Sequence, residues 1–410
     1  MEASLFAQMI SESLAKNKEE FNNLSQLIWA HPETQYDEHF AHALLTDFLS
    51  KEGFVVEKAY AGVPTAFRAE IATSDYVVGS HPVIAILCEY DALPEIGHAC
   101  GHNLIAVNCR DWSHLWVPTK VGIAAGCAVR DVLLSNSQTK FPGKVVVLGC
   151  PAEEGGGGKI DLINFGCFRD IDFVMMAHPF PHDVLHCITL GIERCTVEFF
   201  GRATHASCQP WEGVNALDAA ISAYNAVSLS RQQMKPDWRA HAIIAKGGTV
   251  PNVIPDHSES QYYMRCQNME DMAILKSKLI QCFECAAEAT GCRMVLSWDP
   301  KPYLPLRSNR TMASTFGDFA QAENLVYGPD PGLHGSSDIG NVSMVVPTIH
   351  PRFFVGESHL IHTREFQKLA GSSKTQPYCL RMAKIMALTA VELFINKSLR
   401  EKVTREFDGC

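Results

Sequence analysis

The sequence has 410 residues, of which 47% are hydrophobic and 20% are charged, and its formal net charge is −10. This length exceeds that of one ordinary domain, so two or three hydrophobic cores are expected. The acidic balance argues against nucleic acid as a partner, because a phosphate-binding surface needs an excess of basic side chains.

No stretch of the sequence approaches the roughly 20 apolar residues that span a bilayer, so no membrane partner is expected. The first residues carry acidic side chains where a signal peptide would carry basic ones. We therefore expect a cytoplasmic protein, with the nucleoplasm as the alternative compartment. The 15 cysteines should then be mostly reduced, and most of them should be small core residues.

The first half of the chain alternates between helical and strand-like patterns. Apolar residues recur at helical spacing over 4–29, 37–49 and 121–134, and short apolar runs predict strands at 67–71, 83–87, 145–148 and 173–176. Strands that alternate with helices predict an α/β fold, with a mixed and mostly parallel sheet sandwiched by helices.

The pattern changes near Gly191. Residues 192–302 read as β-α-β-β-α-β, with the second helix at 269–290, which is typical of a ferredoxin-like α+β unit. The α/β pattern then resumes and ends in a helix. We therefore predict a larger domain in two parts, residues 1–191 and 303–410, with a smaller domain of residues 192–302 inserted between them.

The densest cluster of potential metal ligands directly follows the predicted strand at 83–87. It contains Glu89, Asp91, Glu95, His98, Cys100 and His102. Binding sites of doubly wound sheets form beyond the carboxyl ends of the strands. Thiolate and imidazole suit zinc, and the Cys-x-His spacing lets both side chains point at one ion. The alternative is a loop whose polar groups are all satisfied by hydrogen bonds.

Two further predicted strands also end in potential ligands. Glu153 and Glu154 follow the strand at 145–148, and one carboxylate could hold a metal ion while its neighbour accepts a proton. His178 follows the strand at 173–176. Taken singly, the glutamates could form a solvated turn and the histidine could be structural. Three such strand ends together favour a metal centre.

These motifs, HACGHN, PAEEGGGG and AHPF in that order, resemble the aminoacylase, hippuricase and dipeptidase family of two-metal peptidases, metallopeptidase family twenty. The resemblance covers nearly the whole chain and includes GRATHASCQPWEGVNALDAA, GGTVPNVIPD, SSDIGNVS and HTREF. It implies a zinc-peptidase-like catalytic domain formed by the larger domain. The inserted domain would be the lid and dimerisation domain of a homodimer.

The resemblance also implies a metal-binding set for two divalent ions. The implied ligands are Cys100, His102, Glu154, His178 and His362. Zinc is expected because Cys100 is a soft ligand, and manganese is the alternative. His350 and His359 lie near His362 in the sequence, so the assignment of His362 rests on its His-Thr motif alone.

Other residues receive catalytic or substrate-binding roles from the same resemblance. Glu153 would be the general base, and Asp91 would orient the metal ligands. His205 would reach the partner subunit's site and stabilise the tetrahedral oxyanion. Asn252 and Arg265 would contact the carboxylate of the substrate, although Arg265 could equally be an exposed strand residue.

The expected activity is metal-dependent hydrolysis of the amide bond of small dipeptides with a basic C-terminal residue, of the β-alanyl-lysine or Xaa-Arg type. An N-acyl-amino-acid or aminobenzoyl-glutamate-type amidohydrolase is the alternative activity. One departure from the family is the insertion VNCRDWSHLWVPTK at residues 107–120, between the turn that holds His102 and the next helix. The insertion makes a catalytically impaired metal-binding variant a third hypothesis, and its deletion would then raise metal affinity and activity.

Overall fold

The computed structural model describes residues 2–106, 121–135, 141–332 and 335–409. The chain divides into two compact units. The first unit comprises Met1–Cys187, Arg307–Leu333 and Asn341–Cys410, and the second comprises Ile188–Leu306 and His334–Gly340. Within the described ranges, no helix is long and apolar enough to cross a bilayer.

The helices and strands of the described residues are numbered separately in chain order. The helices are α1 Glu2–Lys16, α2 Lys18–Ala30, α3 His39–Lys51, α4 His102–Ala106, α5 Gly122–Leu134, α6 Gly158–Asn164, α7 Ala216–Leu229, α8 Met269–Thr290, α9 Arg310–Ala322, α10 Ile339–Val342, α11 Arg364–Ala370, α12 Gln376–Ile395 and α13 Lys397–Asp408. The strands are β1 Val55–Lys58, β2 Phe67–Ala72, β3 Val83–Cys88, β4 Lys144–Gly149, β5 Phe173–Met175, β6 His178–Phe180, β7 Gly191–Phe200, β8 Arg239–Lys246, β9 His257–Cys266, β10 Arg293–Trp298, β11 Thr348–Ile349 and β12 Arg352–Phe354.

The first unit is built around a mixed sheet with the strand order β1-β2-β4-β3-β5-β11. Strands β4, β3, β5 and β11 run parallel to one another, whereas β1 and β2 pair in antiparallel fashion at one edge. The apolar side chains of β3 and β4 share one core with those of α1, α5 and α12. The predicted α/β fold with a mostly parallel sheet is confirmed. The parallel central strands bring the residues that follow β3, β4 and β5 to one edge of the sheet.

The helix predicted over 4–29 is in fact two helices, α1 and α2, separated at Asn17. Asn17 has a ψ of 5°, which lies outside the helical range. Its amide still donates to Ser13 O at 3.2 Å, and Phe21 N donates to Asn17 O at 2.9 Å, so the chain bends without losing its hydrogen bonds. Asparagine is a poor residue for a helix interior because its side chain competes for backbone groups.

The second unit is an antiparallel sheet of strand order β10-β7-β9-β8 that packs against α7 and α8. This is the predicted β-α-β-β-α-β sequence of elements with the fourth strand beside the first. The side chains of Asn215 and Asn268 cap the two helices by accepting hydrogen bonds from Leu217 N and Asp271 N. Gly291, in the left-handed region at φ 73°, ends α8.

Candidate metal centre

His102 begins α4, and its ring is oriented by the loop that follows β3. Its Nδ1 lies 2.9 Å from Asp91 Oδ1 and 2.9 Å from the carbonyl oxygen of the same residue. A histidine that donates from Nδ1 presents Nε2 as a metal-binding lone pair. Nε2 is buried and has no hydrogen-bond partner among the described residues. The ring is therefore arranged as that of a metal ligand is.

The turn that carries His102 is also anchored by its neighbour Asn103. The side-chain nitrogen of Asn103 donates to Ala370 O at 2.9 Å and to Ser25 Oγ at 3.1 Å. Ser25 Oγ donates in turn to the carbonyl oxygen of Asn103 at 2.6 Å. These buried bonds join the start of α4 to α2 and to the end of α11, so several elements fix the position of His102.

Not every polar residue of the loop after β3 points at the same place. Cys100 is buried, and its Sγ lies 3.5 Å from Nε2 of His178. His98 is also buried, but its ring nitrogen lies 3.1 Å from Ile28 O, and burial lowers its pKa to about 3. Glu95 is exposed. Of this loop, Cys100 and His102 belong to the groups of clustered ligand atoms described below, whereas His98 and Glu95 do not.

Glu153 and Glu154 lie on the loop between β4 and α6. The amide of Glu154 donates to Asp91 Oδ2 at 2.8 Å, so Asp91 holds this loop as well as His102. Gly158 closes the loop, because a Cβ at this position would lie 2.0 Å from Pro151 O. Burial opposes the ionisation of Glu154. However, the nearby His362 and His102 outweigh burial and hold the pKa of this carboxyl below its ordinary value.

His178 begins β6 and faces Cys100. Its Nδ1 lies 2.7 Å from Pro179 O, which leaves Nε2 as the nitrogen that can bind a metal. Burial lowers the pKa of His178 to about 4, so the ring is neutral, as a metal ligand must be. His362 lies across the site, with Nε2 at 3.3 Å from Glu154 Oε1, and 46% of its side chain is exposed.

The ligand atoms fall into three groups, within each of which all atoms lie within 4.8 Å of one another. The groups are Cys100, His102 and His178; Cys100, Glu154 and His362; and His102, Glu153 and Glu154. All five residues assigned as ligands from the sequence are therefore brought together, and Cys100 belongs to two groups. Among the alternatives to His362, His359 pairs instead with Glu357 at 3.1 Å.

The chemistry of these groups fits a divalent cation. Burial, and then the carboxylate of Glu154, raise the pKa of the Cys100 thiol well above its ordinary value. A metal ion favours the thiolate at such a position, because coordination replaces the proton. Thiolate, imidazole and carboxylate together are a donor set that zinc accepts in tetrahedral sites.

The remaining predicted residues, His205, Asn252 and Arg265, belong to the second unit. His205 is exposed, and its segment pairs with the next loop through a hydrogen bond from Ala206 N to Asn252 O at 3.0 Å. The amide of Ser207 lies 3.2 Å from His205 Nδ1, so the neutral ring carries its proton on Nε2. Arg265 is half-buried on β9 and donates to Ser336 Oγ at 2.8 Å.

A buried ion pair beside the site was not expected from the sequence. Lys159 and Glu89 are both fully buried, with Nζ of the lysine 2.5 Å from Oε1 of the glutamate. Burial opposes ionisation of Glu89, but Lys159 and then His102 outweigh it and lower its pKa to about 2. The other oxygen of Glu89 lies 3.6 Å from His102 Nε2. No sequence pattern links a strand end to a lysine 70 positions later, so nothing in the sequence could have indicated this pair.

Comparisons with known proteins decide the family. Residues 189–290 match the family model of the peptidase dimerisation domain. The chain is 42% identical to the Xaa-Arg dipeptidase of Mus musculus, over 99% of this chain and 93% of that protein. The chain belongs to the M20 peptidase family. It is also 26% identical to a p-aminobenzoyl-glutamate hydrolase protein of Escherichia coli, over 97% of this chain and 94% of that protein.

A solved structure supports the fold. A dinuclear metal-binding peptidase of the M20 family from Bacillus subtilis superposes with a TM-score of 0.61 at 17% identity. The match covers 94% of this chain and 98% of the bacterial one. The family predicted from the motifs is thereby confirmed, and so is the fold class.

Proposed function

We propose that this M20 peptidase hydrolyses the amide bond of dipeptides with a basic C-terminal residue, of which β-alanyl-lysine is the type. The observation that carries the proposal is the convergence of thiol, imidazole and carboxylate groups at the carboxyl ends of β3, β4 and β5, with Cys100 common to two groups. The 42% identity to the mouse Xaa-Arg dipeptidase supports the substrate class.

Two divalent ions would be held by the five clustered ligands. These are Cys100, His102, Glu154, His178 and His362. We favour zinc because a buried thiolate is a soft donor, with manganese as the alternative. Ions bound there would supply Lewis-acid polarisation of the amide carbonyl and would acidify the attacking water.

Glu153 would act as the general base. It is buried beside the ligands, with Oε2 at 3.8 Å from Nε2 of His102. A carboxylate in this position can take a proton from the attacking water and then return it to the leaving amine. Asp91 would contribute indirectly, because its two carboxylate oxygens hold the His102 ring and the amide of Glu154.

The second unit would provide the oxyanion donor, the contacts to the substrate carboxylate and the homodimer interface. His205 carries its proton on Nε2, so it can donate to an oxyanion, and it would do so in the partner subunit's site. Asn252 and Arg265 would bind the substrate carboxylate, for which a guanidinium is well suited. Strand β8 lies at the edge of its sheet and exposes 61% of Ile243, and Leu229 on α7 is 80% exposed. Exposed apolar residues beside an open strand edge favour pairing with a second copy.

The division of labour between the two adjacent glutamates tests the proposal. Glu153→Gln should lower kcat at least ~100-fold and leave two metal ions per chain, because the base is not a ligand. Glu154→Gln should instead lower the metal content. The measurements are turnover of β-alanyl-lysine and elemental analysis of the purified variants. Equal metal losses in both variants would refute these roles.

A second candidate function is favoured by the Escherichia coli relative. An N-acyl-amino-acid or aminobenzoyl-glutamate-type amidohydrolase would use the same metal centre and would differ in the pocket that holds the acyl group. A panel of dipeptides, N-acyl amino acids and p-aminobenzoyl-glutamate, compared by kcat/KM, distinguishes the two. A substrate with an acidic C-terminal residue that outperforms β-alanyl-lysine would overturn the dipeptidase assignment.

The hypothesis of an impaired variant concerns residues 107–120, which lie outside the described residues. It predicts that the full chain neither binds two metal ions nor hydrolyses any compound of the panel. Metal analysis together with the turnover assay therefore separates this hypothesis from both enzymatic ones.

A further inference from the structure

The bracing segment, residues 33–38, lies against both loops of the candidate metal centre. The carbonyl oxygen of Glu33 accepts a hydrogen bond of 2.7 Å from Ala92 N, directly after Asp91. Side chains of the same segment contact the base loop, residues 151–157, which carries Glu153 and Glu154. The bracing segment thus joins the two loops that supply most of the predicted catalytic groups.

Glu38 makes the buried contact of this segment. Its side chain has no exposed surface, and its Oε1 accepts hydrogen bonds from Ala152 N at 2.9 Å and from Tyr36 N at 3.0 Å. Its Oε2 accepts from the hydroxyl of Thr65 at 2.7 Å. All three partners are donors, so the carboxylate serves as an acceptor that ties the base loop to the body of the unit.

Two further side chains of the bracing segment contact the other end of the base loop. The hydroxyl of Tyr36 lies 2.8 Å from Gly156 O and 2.5 Å from Asp161 Oδ2. The side-chain amide of Gln35 donates to the carbonyl oxygen of Glu154. The bracing segment therefore contacts the base loop before, at and after the two glutamates.

Ala152 shows what these contacts hold in place. Its φ is 57°, in the left-handed region, which costs energy for any residue with a Cβ. The conformation is fixed by the bond from its amide to Glu38 and by a bond of 2.8 Å from Gly157 N to its carbonyl oxygen. Without the acceptor at Glu38, Ala152 would relax, and the peptide that leads into Glu153 would rotate.

We propose that the bracing segment, chiefly through Glu38, is a positioning element that sets the directions of Glu153 and Glu154. The catalytic consequence rests on the proposed function, whereas the ordering of the base loop does not. Productive geometry must hold to within about 0.5 Å, and a misplacement of about 1 Å can cost on the order of 100-fold in rate. Glu38 touches no reacting atom, so its effect is on position.

The test compares two replacements of similar length at Glu38. Glu38→Met keeps the volume of the side chain but cannot accept these hydrogen bonds. Glu38→Gln keeps one oxygen that can face Ala152 N and Tyr36 N, while its amide nitrogen donates to Thr65, whose hydroxyl can rotate. Glu33→Ala is the matched control, because the Glu33 carboxylate accepts from Phe40 N and Ala41 N at the start of α3 and does not contact the base loop.

The first readout is hydrogen–deuterium exchange of peptides that cover residues 149–158. Glu38→Met should raise exchange of the base loop by ~10-fold or more, the expected effect of losing one buried hydrogen bond. Glu38→Gln and Glu33→Ala should leave it within ~3-fold of the wild type. No rise in Glu38→Met, or an equal rise in the control, would overturn the inference.

The second readout separates positioning from substrate binding. Glu38→Met should lower kcat at least ~10-fold with little change in KM, and Glu38→Gln should restore most of it. If Glu153→Gln abolishes turnover while Glu38→Met changes neither exchange nor kcat, the inference fails and the proposed function stands. If the wild type hydrolyses nothing while the base loop responds as expected, the function fails and the bracing role stands.

Tyr36→Phe decides the matter if Glu38→Met does not fold. This variant removes one hydroxyl from a half-buried side chain and so should preserve the fold. It should raise exchange in the part of the base loop that contains Gly156, and an unchanged exchange rate there would overturn the inference.

Discussion

Replacing Glu38 with glutamine is expected to change how the stability of the fold depends on pH. Glu38 has no exposed surface, and burial, with a smaller contribution from Asp91, raises its pKa from 4.5 to about 7. The hydrogen bonds from Thr65 and Ala152 act in the opposite direction but do not cancel this effect. The folded protein therefore holds a proton on Glu38 at pH values where the unfolded chain has already released it.

The sign follows from the number of protons bound in each state. Between the unfolded pKa of 4.5 and the folded pKa of about 7, the folded state binds more protons, so stability falls as the pH rises. The stability contributed by this group is fully present below pH 4.5 and is lost as the pH passes through 7. A difference of this size corresponds to on the order of 3 kcal/mol. Glutamine does not titrate, so Glu38→Gln should lack this loss.

The assay is urea unfolding of the wild type and of Glu38→Gln at about pH 5 and pH 8, with a chelator present so that metal binding does not contribute. From the lower to the higher pH, the variant should gain on the order of 2 to 3 kcal/mol relative to the wild type. If the two proteins show the same change in unfolding free energy between these pH values, Glu38 does not carry a raised pKa.

The remaining predictions concern the second unit and the insertion. His205→Ala should lower kcat more than it raises KM, as expected for a contact made in the transition state. Mixing His205→Ala subunits with Glu153→Gln subunits should restore part of the activity if each site is shared between chains, and a fully active monomer would refute this. Deletion of residues 107–120 should leave the metal content and the metal affinity of the chain within ~3-fold of the wild type. An apo full chain with a metal-replete deletion variant would contradict this expectation.

The sequence predicts those parts of the fold in which one pattern persists over many residues. The continuous apolar runs of β3 and β4 and the helical period of α8 identify these elements, and the strand ends locate the cluster around Cys100. The short strands β6 and β12, of three residues each, are too short to show a period, and they exist because they pair with each other. Strand β1 is mostly exposed and is held only by its pairing with β2.

Positioning contacts are less visible in the sequence because they join distant residues. Glu38 and Ala152 are 114 positions apart, and Lys159 and Glu89 are 70 apart. A buried glutamate near a helix start reads as an ordinary helix cap, and nothing in its local sequence indicates a contact with the loop after another strand. The chemistry of the site is therefore readable from motifs, whereas the groups that hold it in place are apparent only from the fold.

The contacts around His102 explain why the insertion should be harmless to metal binding. From the sequence alone, a loop directly after α4 would separate His102 from the helix that supports it. In the structure, Gly122 at the start of α5 packs so closely that a Cβ there would lie 2.6 Å from Cys88 Sγ and 3.4 Å from Ile105 O. The two ends of the insertion are thus held beside each other by residues on either side of it. Since Asp91 and Asn103 also fix the turn, the support of His102 does not depend on residues 107–120, and loop-closure entropy changes only slowly with length.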